Sequence, residues 1–386
     1  MRSPKAMLGA FALLASVAAA HAAPFMIVGN DEKASYDAAG KPVVNPTGND
    51  TILIVDLAKP EEPKIVASLP LENSIVGPPT NLAISPNGAI ALVADSITVT
   101  QDNGVNKTAP ADKLFVIDLK ANPPKLIDTI TLGKQPSGLS FSPKGDMALV
   151  ANRADGTVSV LKIEGTKVTV TATIPVSAGV SHVTFTPDGK HALATRSPDN
   201  RIAVLDIDGD KVTYNKLDIP TFLFPYNVVV TPNGKLALTA DNGGNGSSDG
   251  NMDMVSVIDL EGAHPHVIAR VNVEDAPEGL AMSPKGNLAV VVNVNGSNFP
   301  GSWFYRKTGS LTVLKIDGKK VTVIETIQVG GLPEAAMFSP DGHYIYVGNF
   351  LDKDFSILKV NGTDVIDTGK RFKVPGHPAS ARMGPG

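Results

Sequence analysis

The chain has 386 residues, with 38 carboxylates against 34 lysines and arginines, and it contains no cysteine. The missing thiols exclude disulfides and thiolate metal centres. The mildly acidic balance, formally -4, argues against nucleic acid as a partner.

The first element is a leader. Arg2 and Lys5 precede an apolar run over residues 6–20, and Ala20-His21-Ala22 offers the small residues of a cleavage site. That order is the pattern of a secretory signal peptide over residues 1–22. The run is too short to anchor a chain in a bilayer. Cleavage after Ala22 leaves residues 23–386, with 32 cations against 38 carboxylates and a charge of -6. A periplasmic or secreted protein without a membrane span is expected, and a monomer.

Residues 25–30 and 52–56 read as the second and third strands of a four-stranded unit whose first strand is missing. From residue 85 onward a turn of the form Ser/Thr-Pro-x-Gly recurs six times, beginning at Ser85, Ser142, Thr186, Thr231, Ser283 and Ser339. Proline pre-sets the first torsion of such a turn and glycine takes the left-handed one, so each copy joins two antiparallel strands. After each second strand comes a polar break and then a β-branched third strand, as at residues 158–161, 202–205, 255–258 and 311–314. A fourth strand follows, for example at residues 168–171 and 321–324. Four strands recurring at about 50 residues is the content of a propeller blade.

The end of the chain supplies what the beginning lacks. Residues 378–386 align with residues 136–143 as a seventh first strand stopped inside its turn. The expected fold is therefore all-β: one seven-bladed propeller over residues 23–386, closed by pairing residues 380–383 beside residues 25–29. Closure of this kind removes the unpaired sheet edges that template aggregation.

The segments Asp155-Gly156-Thr157-Val158-Ser159-Val160-Leu161 and Pro136-Ser137-Gly138-Leu139-Ser140-Phe141-Ser142-Pro143 resemble the YVTN-type repeat of seven-bladed propellers. The resemblance covers the whole mature chain. It extends to the lactonase-like group that includes bacterial 6-phosphogluconolactonases and, more distantly, to the heavy subunit of methylamine dehydrogenase. It implies a fold rather than an activity, because such propellers host hydrolases, electron-transfer partners and binding modules.

Four connections between second and third strands are long, at residues 31–50, 96–112, 242–252 and 294–308. Long loops in a compact domain are usually functional. They fall in two adjacent pairs on one face, so a channel mouth walled on two sides is expected there. The first strands begin on the same face. The residue five before each turn proline reads, around the ring, Asn81, Gly138, His182, Asn227, Gly279, Ala335 and Ser380. Their predecessors are Thr80, Ser137, Ser181, Tyr226, Glu278, Glu334 and Ala379.

His182, Glu278 and Glu334 are the candidate catalytic groups of this ring. Asn81, Asn227, Glu278 and Glu334 are candidate oxygen ligands for Ca²⁺ or another divalent cation, which would polarise an ester carbonyl or activate water with His182 as proton carrier. The competing reading makes them the polar lining of a water-filled channel. Arg153 and Arg196 stand out in a second ring of Asn and Asp residues that ends the second strands, because turns do not require arginine and its fork suits carboxylate or phosphate oxygens.

Phe224 and Tyr226 in one connection, and Trp303 and Tyr305 in another, concentrate aromatics on the looped face. Together with Asn81, Arg153 and Arg196 they are candidate ligand contacts. No Gly-x-Ser-x-Gly elbow is present, so a nucleophilic serine has no visible support.

Three functions remain open at this level: an exported propeller binding a small ligand or periplasmic protein, a lactonase-like metal-assisted hydrolase, and an accessory subunit of a periplasmic dehydrogenase or electron-transfer system.

Overall fold

The computed structural model describes residues 24–73, 77–177, 179–244 and 246–385. The expected signal peptide, residues 1–22, lies outside the described residues. Seven antiparallel sheets of four strands each are arranged as the blades of a propeller, with one additional two-stranded pair, Ala34–Tyr36 with Pro42–Val44. The innermost strands are Pro378–Met383, Leu82–Ile84, Pro136–Phe141, Val180–Phe185, Pro225–Val230, Pro277–Met282 and Pro333–Phe338, for blades 1 to 7 in that order.

The ring closes as the sequence requires. The first strand in the chain, Phe25–Asn30, pairs antiparallel with Pro378–Met383, placing Met26 opposite Met383 and Val28 opposite Ala381. Met26, Val28, Leu53 and Val55 of blade 1 pack with Ala335, Met337, Tyr346 and Phe355 of blade 7. Blade interfaces depend on alternation: Leu149 and Ala151 face blade 4, while Ala148 and Val150 on the same strand face blade 2. Successive side chains on a strand point to opposite faces, so one strand serves two interfaces.

The recurring turns show what their residues are for. In blade 3 the Gly145 amide donates to the Ser142 carbonyl at 2.9 Å, and Gly145 takes φ +75°. The Ser142 hydroxyl donates to Asp146 at 2.7 Å and accepts from the Met147 amide at 3.2 Å.

The second-strand asparagines are structural in the same sense. Asn152 donates to Thr157 and Ser159, Asn293 to Ser310 and Thr312, and Asn349 to Asp354 and Ser356, all between 2.8 and 3.1 Å.

One expected loop is not a loop. Strands Ile90–Asp102 and Val105–Asp118 continue through residues 96–112 as a paired ribbon, with Val99 opposite Thr108. The reason is local: Asn103 and Gly104 both take positive φ, 52° and 79°, which a two-residue hairpin turn needs, and Ile97 to Thr100 are β-branched.

The loops do not leave the mouth open as a two-walled funnel either. The blade 1 hairpin reaches across blade 7 to the blade 6 loop, where a Cβ on Gly40 would lie 2.3 Å from the Pro300 ring and 2.5 Å from the Asn298 carbonyl oxygen. The blade 2 ribbon props it from the other side through Asn106, which donates to the Val44 carbonyl at 3.1 Å.

The base of the hairpin is held by Lys33, which is fully buried. Its Nζ donates to Asp50 at 2.6 Å, Glu72 at 3.0 Å and Asp95 at 3.1 Å, and to the Asn73 carbonyl. Buried charge is tolerated only when paired and hydrogen-bonded in this way. Its coulombic partners Asp95, Asp50 and Asp31 raise its pKa against the opposing effect of burial. No helix among the described residues is long and apolar enough to cross a membrane.

Candidate functional site

Glu278 and Glu334 are the second residues of the innermost strands of blades 6 and 7. These strands approach closely because the residue after Glu278 is glycine: a Cβ on Gly279 would lie 2.1 Å from the Glu334 carbonyl oxygen. Glu334 is buried and Glu278 half-buried. Burial raises both carboxyls, Glu278 to about 8 and Glu334 well above the ordinary carboxylate range. Glu334 is raised further by the charges of Glu278 and Asp31, the usual response of neighbouring carboxylates that cannot both ionise. Asn242 and Arg153 oppose the shift at Glu278; Asn242 Nδ2 donates to Glu278 Oε1 at 2.9 Å.

The pair belongs to an arc of side chains from blades 3, 5, 6 and 7. Tyr226 of blade 5 is buried beside Glu278, and the Arg153 guanidinium of blade 3 lies 5.8 Å from its ring centroid. Burial, then the neighbouring Glu278, raises the Tyr226 phenol, with Arg153 opposing. Phe224, held at φ +54°, backs Tyr226 at 6.0 Å between ring centroids.

Tyr36 of the blade 1 hairpin closes the arc from above. Its phenol is raised mainly by burial, hydrogen-bonds Asn298 of the blade 6 loop and feels both glutamates. Tyr36 also packs edge-on against Phe350 at 6.4 Å. A neutral carboxyl donates through its O–H and still accepts, so the arc offers both kinds of hydrogen bond.

Of the expected site residues, Glu278, Glu334, Tyr226, Arg153 and Phe224 gather here. Asn81, His182 and Asn227 line the inner strands, buried, with Asn81 Oδ1, His182 Nδ1 and Asn227 Oδ1 lacking partners among the described residues. His182 is pushed down to about 3 by burial and then by the charge of Arg382, which keeps the ring neutral and a weak base near neutral pH.

Arg196 is directed elsewhere. It pairs with Asp199 at 2.5 Å and with Asp218, and donates to Tyr214 at 3.0 Å; Tyr214 and Asp218 belong to the outermost strand of its own blade. Trp303 is 85% exposed and meets the Phe304 ring edge-on at 5.5 Å, and Tyr305 is 40% exposed, so neither belongs to the buried arc.

Among the described residues no three His, Cys, Asp or Glu side chains are grouped to hold a metal, and the two glutamates that do meet are raised by burial toward their neutral forms.

Tyr36, Asn298 and the supporting role of Lys33 and Asn242 escape sequence reasoning. Tyr36 is the only aromatic residue between residues 31 and 50, which is the one signal that sets it apart.

The geometry defines a seven-bladed β-propeller with a buried cluster of two carboxyls, two phenols and a guanidinium at one mouth of its channel. Its fold is that of the lactonase-like propellers. Similar structures include a putative 6-phosphogluconolactonase from Bacteroides fragilis, 16% identical over 93% of this chain and 97% of that one, with a TM-score of 0.70. The periplasmic gluconolactonase of Pseudomonas aeruginosa is 18% identical over 93% and 98%, with a TM-score of 0.67. Hydrazine synthase from Kuenenia stuttgartiensis is 19% identical over 80% and 90%, with a TM-score of 0.61. No family model and no curated protein matches the sequence.

Proposed function

We propose that the protein binds a small, hydroxyl-rich neutral ligand of the sugar-lactone class at the loop-covered mouth of its channel, as an exported protein. The observation that carries this reading is the arc itself: two carboxyls raised by burial, a phenol on either side and one guanidinium, supplied by four blades and a hairpin. Such a set matches a ligand that presents alternating hydroxyl donors and acceptors and carries no charge of its own.

The test is titration calorimetry with a series of aldonolactones and the matching aldonic acids. Binding of a neutral lactone, weakened at least tenfold in Glu334→Gln, supports the proposal. Equal affinity in wild type, Glu334→Gln and Arg153→Ala removes it.

A second reading, lactone hydrolysis, is favoured by the coupling of Glu278 and Glu334. Because the charge of Glu278 raises Glu334 beyond the effect of burial, Glu278 ionises first, as the pH passes about 8, while Glu334 keeps its proton, which is the arrangement of a general base beside a general acid. The ionised carboxylate takes a proton from the attacking water, and the protonated one delivers its proton to the ring oxygen as the ester C–O bond breaks. Acid release followed by pH-stat, with loss of turnover in Glu278→Gln, tests it. The gluconolactonase names of the similar structures support the substrate class. An electron-transfer role gains no support from residues of this chain.

A further inference from the structure

The backbone of Arg382 lies near the turn-side end of the closing strand, and its guanidinium reaches into the channel, close enough to His182 to lower that imidazole's pKa. Its Nη1 donates to the Pro79 carbonyl at 3.3 Å and the Ala381 carbonyl at 3.0 Å. No carboxylate forms an ion pair with it among the described residues, although a guanidinium offers five N–H donors in a fixed fork. Protein surrounds it closely enough for burial alone to bring its pKa down to about 10, while part of its surface stays open to a cavity.

The cavity is about 330 Å³ and is walled by Arg382, Ser140, Thr184 and apolar side chains including Phe141 and Phe185. The turn prolines Pro86, Pro143 and Pro187 rim it, so it opens on the face away from the long loops. Ser140 Oγ is buried without a hydrogen-bond partner among the described residues. Arg382, Ser140 and Thr184 hold the same register on the inner strands of blades 1, 3 and 4, and the corresponding residue of blade 2, between the first two, is Ala83, which leaves room.

A buried cation without a counter-charge is costly, and packing does not demand one here. Blade 7 places Met337 at the equivalent position. What the cation adds is a fork with donors to spare beside the unpartnered Ser140 hydroxyl, in a protein with a net negative charge. A guanidinium fork with adjacent hydroxyl donors matches the parallel oxygens of a carboxylate or phosphate better than it matches a spherical ion.

We propose that the turn-side end of the channel is a second binding site, for a small oxyanion, with Arg382 as its charged contact and Ser140 and Thr184 as hydroxyl donors. The site is separate from the glutamate pocket and does not depend on its function.

The experiment follows thermal unfolding and calorimetric binding of the full chain in phosphate, acetate and chloride as sodium salts at matched pH and ionic strength. Phosphate or acetate should raise the melting temperature saturably, and chloride should not. A larger response to phosphate identifies an inorganic oxyanion, and a larger response to acetate identifies the carboxylate of an organic acid.

Arg382→Met should weaken binding at least tenfold. Because Arg382 sits in the closing strand, Ser140→Asp serves as a second variant: a carboxylate in the same ring satisfies the guanidinium internally and should abolish the anion response in a folded protein. Glu334→Gln should respond as wild type, even if it fails to bind any lactone. An equal response to chloride, no response to any salt, or an undiminished oxyanion response in folded Arg382→Met or Ser140→Asp overturns the proposal.

Discussion

Glu278 and Glu334 meet across the boundary between blades 6 and 7, and the charge of the first raises the pKa of the second. The consequence for stability has a definite sign. A carboxyl raised in the folded state keeps a proton that the unfolded chain has already lost, so its stabilisation is present at low pH and disappears as the pH rises through the folded value.

Glu278 at about 8, Asp241 and Asp253 at about 7 and Asp95 at about 6 are all raised, chiefly by burial. Glu32 and Glu274 act at the other end. Burial raises them, but His377 at Glu32 and Ser310 and Asn295 at Glu274 outweigh it and hold them low, so their contribution is lost on acidification. We expect maximal stability near about pH 5 and a fall towards pH 8, at most roughly 1.4 kcal/mol per pH unit for each retained proton. Urea denaturation across that range measures it. Glu334→Gln should flatten the alkaline limb, and an unchanged slope would show that the pair is not protonated in the native state.

Lys33 is the second place where charge is buried. Removing it as Lys33→Met leaves Asp50 and Asp95 facing each other without their cation, a loss of roughly 3–5 kcal/mol for breaking a buried pair from one side. Lys33→Met/Asp50→Asn should recover part of that loss. A single variant as stable as wild type in denaturant titration would mean that the cluster relaxes into solvent.

The fold was legible because it is repetitive. Six turns with the same proline and glycine, and a terminal first strand that completes a truncated opening unit, leave one arrangement. The register of the inner strands also carried Glu278, Glu334 and Tyr226 to the mouth. What stayed hidden was non-repetitive. The hairpin at Ala34–Tyr36 and Pro42–Val44 crosses blade 7 because a buried lysine holds its base and Gly40 fits against Pro300, and neither contact leaves a periodic trace. Arg196 misled for a related reason: a fork suited to a ligand is equally suited to Asp199 and Asp218, and only the blade's own geometry decides.

Trp303 is the only tryptophan and is 85% exposed. Trp303→Ala should therefore change unfolding free energy by no more than about 0.5 kcal/mol, the range for surface substitutions. The native protein should show the red-shifted, readily quenched emission of a hydrated indole, altered little by urea. A blue-shifted native spectrum would mean that the 294–308 loop folds onto the propeller in solution, and would return Trp303 to the list of pocket contacts.

The closing strand supports the whole ring through a single pairing. Deleting the last eight residues removes Ala381 from opposite Val28 and Met383 from opposite Met26. It also uncovers Met26, Val28 and Leu53, which pack in the interface between blades 1 and 7. Each large apolar side chain exposed forfeits roughly 1.5–3 kcal/mol, and the strand Phe25–Asn30 becomes an open edge able to template association. Their sum approaches the entire stability of a domain, about 5–15 kcal/mol. The truncated chain should lose its single cooperative melting transition and elute as oligomers in size-exclusion chromatography. Supplying residues 379–386 as a peptide in trans should restore part of the transition, because the groove left between blades 7 and 2 retains its pairing register. A truncated monomer that melts as wild type would show that closure by this strand is dispensable.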